Sequence, residues 1–334
     1  MVNSYTGYSE HLFRVADWFA GRGLEVVIRP SMIREQFGAA IPDRIVSMVS
    51  HDIQPDPWEV MINYPNARPT NGKRTVYFTM YEATRLPSMF VGYLNMCRAI
   101  IVPCSWNRDW FKKVGVRPGI SICPLGIDTG TFKHTPMIMD GPTVFGAAGR
   151  LAHGIARKGV NDVIDAFRIA FPSDPNVRLR IKAFPDCKLI EYRDPRIEVV
   201  REMMPADRLA EWFSGLTCFC SMAKAEGWGL MQQQAMAVGR PVIASVYAGL
   251  AEFMNQNNSY PVTFREVRAV EKYRGHGKWA QPDQRHFISL MRKVHANRAE
   301  AAEIGARASA DASKFTWDES CLKLESILAA LNVI

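Results

Sequence analysis

A glycine-rich turn in the last third of the sequence carries the residues best suited to chemistry. There the acid Glu226 directly precedes two glycines and the start of an expected helix over Leu230 to Val238. Glycines let a ligand approach the backbone closely, and unpaired amides at a helix start favour an anion. The sequence therefore predicts an anion site, such as a phosphate site. The turn and the helix start comprise Glu226, Gly227, Trp228, Gly229 and Leu230, and their backbone amides would face the anion.

A second cluster combines two cations with a glycine-flanked helix start. Arg150 follows a glycine, and Lys158 precedes Gly159 just before a helical stretch. Arginine can bind two oxygens at once, whereas lysine supplies a compact charge, so the pair suits a diphosphate. The spacing is wide enough for Arg157 to take over either role. The alternative is a pair of solvated cations in a surface loop.

A third candidate, Glu82, comes directly after the strand-like run Thr75 to Tyr81. Ligand sites of open α/β sheets lie at the carboxyl ends of strands, which is where this acid falls. A structural acid paired with an arginine would give the same pattern. His51, after the run Ile45 to Val49 that we predict as a strand, is a rival polar contact.

Short apolar runs alternate with helical stretches through most of the chain, which predicts parallel sheets covered on both faces. A first series of predicted strands and a second series are separated by a turn-rich segment near Phe132 to Gly141, and helices follow from Gln281 onward. The sequence thus predicts two doubly wound domains. The predicted strands are Glu25 to Arg29, Ile45 to Val49, Val60 to Asn63, Thr75 to Tyr81, Ala99 to Pro103, Ser121 to Pro124, Thr143 to Ala148, Val177 to Ala183, Ile197 to Val200, Cys218 to Ser221 and Pro241 to Ser245.

Composition limits the class of protein. The chain has 334 residues, 48% hydrophobic content and no apolar run near the roughly 18 residues that a membrane span needs, so we expect a cytoplasmic protein without a transmembrane segment. Its seven cysteines lack a Cys-x-x-Cys pair and are expected to be reduced core residues. The net charge of +8 favours polyanionic partners, and the basic run from Arg265 to Lys278 is interpreted as a solvated loop.

The stretch that begins at Glu226 resembles the signature of the retaining glycosyltransferases of family 4. These enzymes carry a Glu, seven residues, a second Glu and then Ala-Met-Ala-x-Gly-x-Pro-Val. Here Gln234 stands in the place of the second Glu, followed by the run from Ala235 to Val242. An amide still donates and accepts hydrogen bonds. The resemblance extends over nearly the whole chain and leaves open whether this is a virus-encoded member.

The resemblance implies an α/β protein of the GT-B architecture, with two Rossmann-like domains facing across a cleft. Residues 1–135 would form the acceptor-side domain and residues 136–315 the donor-binding domain, while residues 316–334 would return to the first domain.

The resemblance also assigns roles. Glu226 and Glu82 would contact the transferred sugar, Arg150 and Lys158 the departing diphosphate, and Gln234 the ribose. Gly7 would belong to a first loop, from Asn3, that approaches the donor phosphates. A plain turn explains this loop equally well.

The expected reaction moves a hexose from a UDP- or GDP-linked sugar to a hydroxyl acceptor by a front-face mechanism, without a metal and without a cofactor other than the substrate. The acceptor is left open between a sugar, a lipid-linked glycan and hydroxymethylated bases of viral DNA. A peripheral contact with an anionic surface fits the basic charge. Because Gln234 departs from the family pattern, a sugar-nucleotide-binding protein with impaired catalysis is a further alternative.

Overall fold

The computed structural model describes residues 7–28, 43–50, 57–149, 156–185, 187 and 193–334. The chain divides into two compact units. Unit 1 comprises Met1–Tyr81, Arg85–Gly126 and Thr316–Ile334. Unit 2 comprises Glu82–Thr84 and Ile127–Phe315.

Unit 1 contains a parallel sheet with helices. The strands follow one another in the order β1-β2-β3-β4, so each strand pairs with its neighbour in sequence. The central strands are fully buried, as the predicted apolar runs require. The elements are α1 (Gly7–Gly21), α2 (Asp43–Ser47), β1 (Glu59–Ile62), β2 (Thr75–Phe78), α3 (Ser88–Met96), β3 (Ala99–Val102), α4 (Ser105–Lys113), β4 (Gly119–Ile122) and α10 (Trp317–Ala330).

The start of unit 1 departs from the sequence prediction. The predicted strand from Ile45 to Val49 is wrong, because α2 occupies most of it and only Val49 forms a parallel bridge with Ile28. Ile45 packs in a buried cluster with Ala16 of α1, so a helix buries this apolar side chain as a strand would have done. The final helix, α10, packs with α1 inside unit 1, where Glu325 accepts a hydrogen bond from Trp18 Nε1 at 3.2 Å.

Unit 2 contains a six-stranded parallel sheet in the order β10-β9-β8-β5-β6-β7, an antiparallel pair of strands, and helices. The elements are β5 (Thr143–Ala148), α5 (Val160–Ala170), β6 (Val177–Ala183), β7 (Ile197–Arg201), α6 (Ala206–Ser214), β8 (Cys218–Cys220), α7 (Leu230–Ala237), β9 (Val242–Ala244), β10 (Tyr260–Pro261), β11 (Phe264–Arg268), β12 (Lys278–Pro282), α8 (Gln284–Ala296) and α9 (Arg298–Ala312).

The six-stranded sheet is doubly wound about its centre. From β5 the chain proceeds outward through β6 and β7, then returns to β8 on the other side of β5 and proceeds through β9 and β10. The order of strands therefore reverses between β5 and β8. One face of the sheet packs Phe145 and Ile181 against Phe167 of α5 and Met291 of α8, all completely buried. The alternating pattern of β6 and the apolar faces of α5 and α8 account for this core.

The basic run from Arg265 to Lys278 is not the solvated loop that we predicted. It forms most of an antiparallel β-hairpin, in which Val267 pairs with Trp279. Tyr273 and Trp279 are buried, and their ring centroids lie 5.8 Å apart. Most of the charged side chains of the run are exposed, so its composition resembles that of a solvated loop although its two aromatic residues are packed.

All seven cysteines are free and buried, which confirms their expected role as reduced core residues. Among the residues that the structure describes, no helix is both long and apolar enough to cross a membrane.

Candidate functional site

The main candidate residues of unit 2 lie close together, in the connections that follow two neighbouring strands. Lys158 lies in the connection that follows β5, and Glu226 lies in the connection that follows β8. These strands are adjacent and parallel, and the strand order reverses between them. The crevice at the carboxyl ends of such a pair is the usual ligand site of a doubly wound sheet.

A short 3₁₀ turn over Ala156–Lys158 is fastened to the connection after β8. Arg157 donates from Nη1 to the carbonyl oxygen of Ala225 at 2.6 Å, and its own carbonyl accepts from the amide of Lys224 at 2.8 Å. Gly159 then begins α5 with a φ of +61°, and a Cβ there would lie 2.2 Å from the carbonyl oxygen of Met222. Only glycine meets both conditions, so the sequence Lys158-Gly159 fixes how closely the two connections approach.

The carboxylate of Glu226 is buried between two cations. Lys158 Nζ lies 2.7 Å from Oε1 and 2.9 Å from Oε2, and Arg157 Nη1 lies 3.3 Å from Oε2. The side chain of Glu226 is 9% exposed, whereas that of Lys158 is 31% exposed. Lys158 is therefore the member of the pair that solvent or an anion can reach.

Glu82 joins the same cluster from the other side of Arg157. Its Oε1 lies 3.6 Å from Arg157 Nη2, and its Oε2 accepts a hydrogen bond of 2.6 Å from the hydroxyl of Tyr273. Thr84 exchanges hydrogen bonds with Lys278 of the hairpin, which holds the segment Glu82–Thr84 in unit 2. The five side chains Tyr273, Glu82, Arg157, Glu226 and Lys158, called the ion-pair network below, thus form one continuous chain of contacts.

Charge pairing outweighs burial within the ion-pair network. Burial raises the pKa of Glu226, but Lys158 and Arg157 more than offset it and hold that pKa below its ordinary value. Burial opposes the charge of Arg157, yet Glu82 and Glu226 hold its pKa above its ordinary value. Both groups are therefore charged at neutral pH, as a buried pair with good hydrogen bonds requires.

Lys272, beside Tyr273 on the hairpin, adds a further positive charge close to the network. Its pKa lies below its ordinary value, because burial of the amine, together with repulsion by Arg157 and Lys158, outweighs the attraction of Glu82. An anion placed near these cations would relieve that repulsion.

The glycine-rich turn after Glu226 has the geometry that the sequence predicted. Gly229 begins α7 with a φ of +107°, and Leu230 is the first helical residue. The carbonyl of Glu226 accepts from the amide of Gly249 at 3.0 Å, and a Cβ on Gly249 would lie 2.5 Å from the carbonyl oxygen of Gly227. The turn is therefore closely packed against the segment that follows β9.

The aromatic side chain in this turn serves the core. Trp228 is 1% exposed, and its Nε1 donates to Gln233 Oε1 at 2.7 Å. The rings of Phe253 and Phe315 lie 5.2 and 5.7 Å away. The side chain of Trp228 is therefore part of the core of unit 2. Gln234, the residue in the place of the second acid, is buried on α7.

Apart from residues 227–230 and Gln234, which lie at the turn and on α7, the predicted site residues fall into three groups. The structure brings Glu82, Lys158 and Glu226 together in unit 2. Gly7 is the first residue of α1 in unit 1. Arg150, like His51, lies outside the described residues. The catalytic and donor-binding roles stay predictions.

Sequence reasoning missed two members of the cluster. Arg157 was considered only as a substitute for its neighbours, and Tyr273 lay within the presumed loop. The signal for Tyr273 was present: an aromatic residue at that position and another at Trp279 are unusual in a loop exposed to solvent. Within the described ranges, no group of three or more His, Cys, Asp or Glu side chains is placed to hold a metal ion.

Part of unit 2 matches a known protein family. Residues 142–272, which include both glycine motifs, match the family model described as Glycosyl transferases group 1. This part of the chain is therefore similar to a glycosyltransferase group 1 domain. The matched range contains the ion-pair network except for Glu82 and Tyr273.

One curated relative also matches part of this chain. D-inositol 3-phosphate glycosyltransferase of Streptomyces scabiei (strain 87.22) is 27% identical over 135 residues, a match that covers 40% of this chain. The match spans about a quarter of that relative's length, namely 27%.

Solved structures identify the fold of both units. The Anabaena protein Alr3699/HepE, in complex with UDP and glucose, is 16% identical and matches with a TM-score of 0.59, covering 77% of this chain and 71% of that one. Sucrose-phosphate synthase from Thermosynechococcus elongatus is 16% identical and matches with a TM-score of 0.60, covering 77% and 67%. The chain therefore has the α/β GT-B fold with two Rossmann-like domains, as predicted.

Proposed function

We propose that the chain transfers a hexose from a nucleoside-diphosphate sugar to a hydroxyl acceptor. The observation that carries this proposal is the pairing of Lys158 with Glu226 at the strand-order reversal of a glycosyltransferase group 1 domain. An accessible lysine, a buried acid and a glycine-led helix start meet there. The lysine and the helix start suit a diphosphate, and the acid suits sugar hydroxyls.

The proposed reaction retains the configuration of the transferred sugar. The donor diphosphate takes Lys158 as its counter-ion, which frees one side of Glu226 to accept hydrogen bonds from sugar hydroxyls. The acceptor hydroxyl attacks from the face that the diphosphate leaves, and the leaving phosphate takes its proton. Lys158 stabilises the charge that grows on the diphosphate, an effect typically of about 3 kcal/mol for one well-placed donor.

The same arrangement supports metal independence. Lys158 and Lys272 supply positive charge at the place where the diphosphate would lie, and Arg150 is proposed to add a third cation. The substrate is the only small molecule that the proposal requires. The seven buried free cysteines support a reducing compartment, such as the cytoplasm, as the place of action.

For the acceptor we favour a lipid-linked glycan at an anionic membrane surface. Helix α3 is apolar, yet of its nine residues only Leu94 is buried, and Met89 is 54% exposed. Asn95 of α3 bonds to the backbone of Gly115 and Arg117, which follow the C-terminal end of α4. Helix α4 carries three cations and a single acid. An apolar face beside cations matches a surface of anionic lipid headgroups.

The reaction is tested by incubating the full chain with UDP- and GDP-linked hexoses and measuring released nucleoside diphosphate, with and without EDTA. We expect release that survives EDTA and, with the right acceptor, a product of retained configuration by NMR. Release abolished by EDTA would refute metal independence. Donor binding without release would favour the impaired binding protein, and absence of binding would refute the proposed function.

The acceptor is tested by cosedimentation with phosphatidylglycerol vesicles and with phosphatidylcholine vesicles. We expect binding to the former alone, weakened by salt and by Met89→Ser. Exposed Met139 provides the matched control in unit 2, as Met139→Ser. Equal binding to both lipids refutes the proposed surface, and transfer to hydroxymethylated DNA would replace the lipid-linked acceptor.

A further inference from the structure

The hairpin of β11 and β12 contributes a residue to the ion-pair network from outside both glycine motifs. Tyr273, between the two strands, is completely buried, and its hydroxyl donates a 2.6 Å hydrogen bond to Glu82 Oε2. A hydroxyl bonded to a carboxylate at this distance is a strong, charge-assisted contact. The ring itself packs against Trp279, so its position is fixed by the hairpin core.

Glu82 depends on this hydroxyl. Its carboxylate is 12% exposed, and its approach to Arg157 Nη2 is long, at 3.6 Å. The hydrogen bond from Tyr273 is thus the shorter of these two contacts of Glu82. By holding Oε2, it fixes the direction in which Oε1 faces. A buried carboxylate deprived of such a bond would rotate or take in water to satisfy its lone pairs.

Arg157 is in turn fixed between the two acids. Its Nη1 is committed to Ala225 and Glu226, and its Nη2 faces Glu82. Its side chain is 14% exposed, less than half the 31% of Lys158. Arg157 therefore holds the orientation of the Glu226 carboxylate, while Lys158 is the cation accessible to a diphosphate.

We propose that Tyr273 is a positioning residue for the sugar: it acts through Glu82 and Arg157 to hold Glu226 in the orientation that meets the sugar hydroxyls. This inference rests on the proposed function, because it gives Glu226 a sugar to bind. It predicts that removing one hydroxyl on the hairpin weakens the hold on the sugar and spares the hold on the nucleotide.

The test measures the affinities of the full-length chain for UDP and for UDP-glucose, or for GDP and GDP-mannose if that pair binds, by calorimetry. In Tyr273→Phe we expect the affinity for the nucleotide sugar to fall about tenfold, the typical effect of one hydrogen bond to a charged group. The affinity for the nucleoside diphosphate should stay within about twofold, since the network contacts the diphosphate only through Lys158.

A matched control removes a hydroxyl that lies outside the ion-pair network. Tyr260 is also buried in unit 2, and its hydroxyl has no hydrogen-bond partner among the described residues, so Tyr260→Phe should change neither affinity. A second variant tests the route: in a Glu82→Leu background, Tyr273→Phe should cause no further loss, because the two residues act as one unit.

Three results would overturn the inference while leaving the proposed function intact: Tyr273→Phe behaves like Tyr260→Phe, both ligands weaken equally, or the loss is undiminished in the Glu82→Leu background. If the unaltered chain binds none of the nucleotide sugars, the proposed function itself fails, and this inference fails with it. Because the unaltered chain is measured first, the two failures are distinguishable.

Discussion

Lys158 Nζ is held 2.7 and 2.9 Å from the two carboxylate oxygens of Glu226, so that one ammonium group spans the whole carboxylate. This pair joins the connections after β5 and β8, the two strands between which the sheet order reverses. In the proposed function, the diphosphate takes Lys158 as its counter-ion and the sugar hydroxyls take Glu226.

Lys158→Ala should lower turnover by roughly two to three decades, because the charge that grows on the leaving diphosphate loses its accessible cation. Lys314→Ala is the matched control, since Lys314 also pairs with a carboxylate at 2.7 Å but is 71% exposed. Steady-state kinetics and a thermal melt of each variant check the prediction. Normal turnover in Lys158→Ala would move the role to another cation or refute the site.

Glu226→Gln should harm turnover more than nucleotide binding, because the nucleotide alone lacks the sugar that the carboxylate contacts. The amide keeps the shape of the side chain but removes the charge that is proposed to face the anomeric carbon. Glu266→Gln, at an exposed residue paired with Lys278 at 3.4 Å, is the control. The measurement is kcat at saturating donor beside the Kd of the nucleoside diphosphate. Equal weakening of both ligands with kcat intact would place Glu226 away from the sugar.

Gln234→Glu should keep or improve donor affinity, because a carboxylate accepts two hydrogen bonds from ribose hydroxyls. The neighbouring Gln233 gives the comparison: its Oε1 accepts from Trp228 Nε1 at 2.7 Å, and Gln233→Glu would bury a charge in the core. We expect Gln233→Glu to lower the melting temperature without improving affinity. Titration with nucleoside diphosphate decides the matter, and a large loss in Gln234→Glu would mean that Gln234 donates its bond elsewhere.

Gly159→Ala should destabilise unit 2 because of two separate costs. The φ of +61° is unfavourable for alanine, at about 1–2 kcal/mol, and the Cβ would lie 2.2 Å from the Met222 carbonyl oxygen, adding about 1–3 kcal/mol. Gly275→Ala separates the two costs, since Gly275 has a φ of +80° but nothing within 4 Å of the added carbon. Urea unfolding should show the larger loss for Gly159→Ala, and equal losses would contradict the close contact.

His11 should make unit 1 sensitive to acid. It is completely buried on α1, and burial lowers the pKa of its imidazole from 6.5 to about 3. The unfolded chain therefore binds a proton that the folded chain excludes, so stability is full above pH 6.5 and falls by about 1.4 kcal/mol for each pH unit below it, until about pH 3.

The His11 prediction is checked by comparing the unaltered chain with His11→Leu in urea titrations, followed by hydrogen exchange of unit 1 peptides. The difference in the free energy of unfolding between them should be constant above pH 7 and change steadily below pH 6.5. A difference that stays constant down to pH 4 would refute the buried neutral imidazole.

Most strands of the unit 2 sheet could be predicted from the sequence. The strands β5 and β6 begin and end where predicted, because buried parallel strands read as apolar or alternating runs bounded by turn residues. The strand expected at Ile45 was wrong, because a short apolar run fits either a helix or a strand and packing against α1 decided the outcome. Local pattern carried no information about that choice.

The sequence predicted only part of the candidate site. Glycines around Lys158 and Glu226 leave a local signature, since a turn and a helix start require them. The contact of Tyr273 with Glu82 joins residues 191 positions apart and leaves none. The sequence around either residue does not indicate the other, so only the tertiary structure reveals their contact.

The segment Glu82–Thr84 interrupts unit 1 in sequence but belongs to unit 2 by its contacts. A gene fusion that exchanged everything before Ile127 for the corresponding part of another protein would keep Arg157 and Tyr273 and lose the acid between them. The replacing sequence would need a carboxylate at the position of Glu82. Otherwise the buried Arg157 and the Tyr273 hydroxyl would lose their shared partner. Recombination at the Ile127 boundary would therefore separate unit 2 from three of its own residues, Glu82–Thr84, and destabilise it.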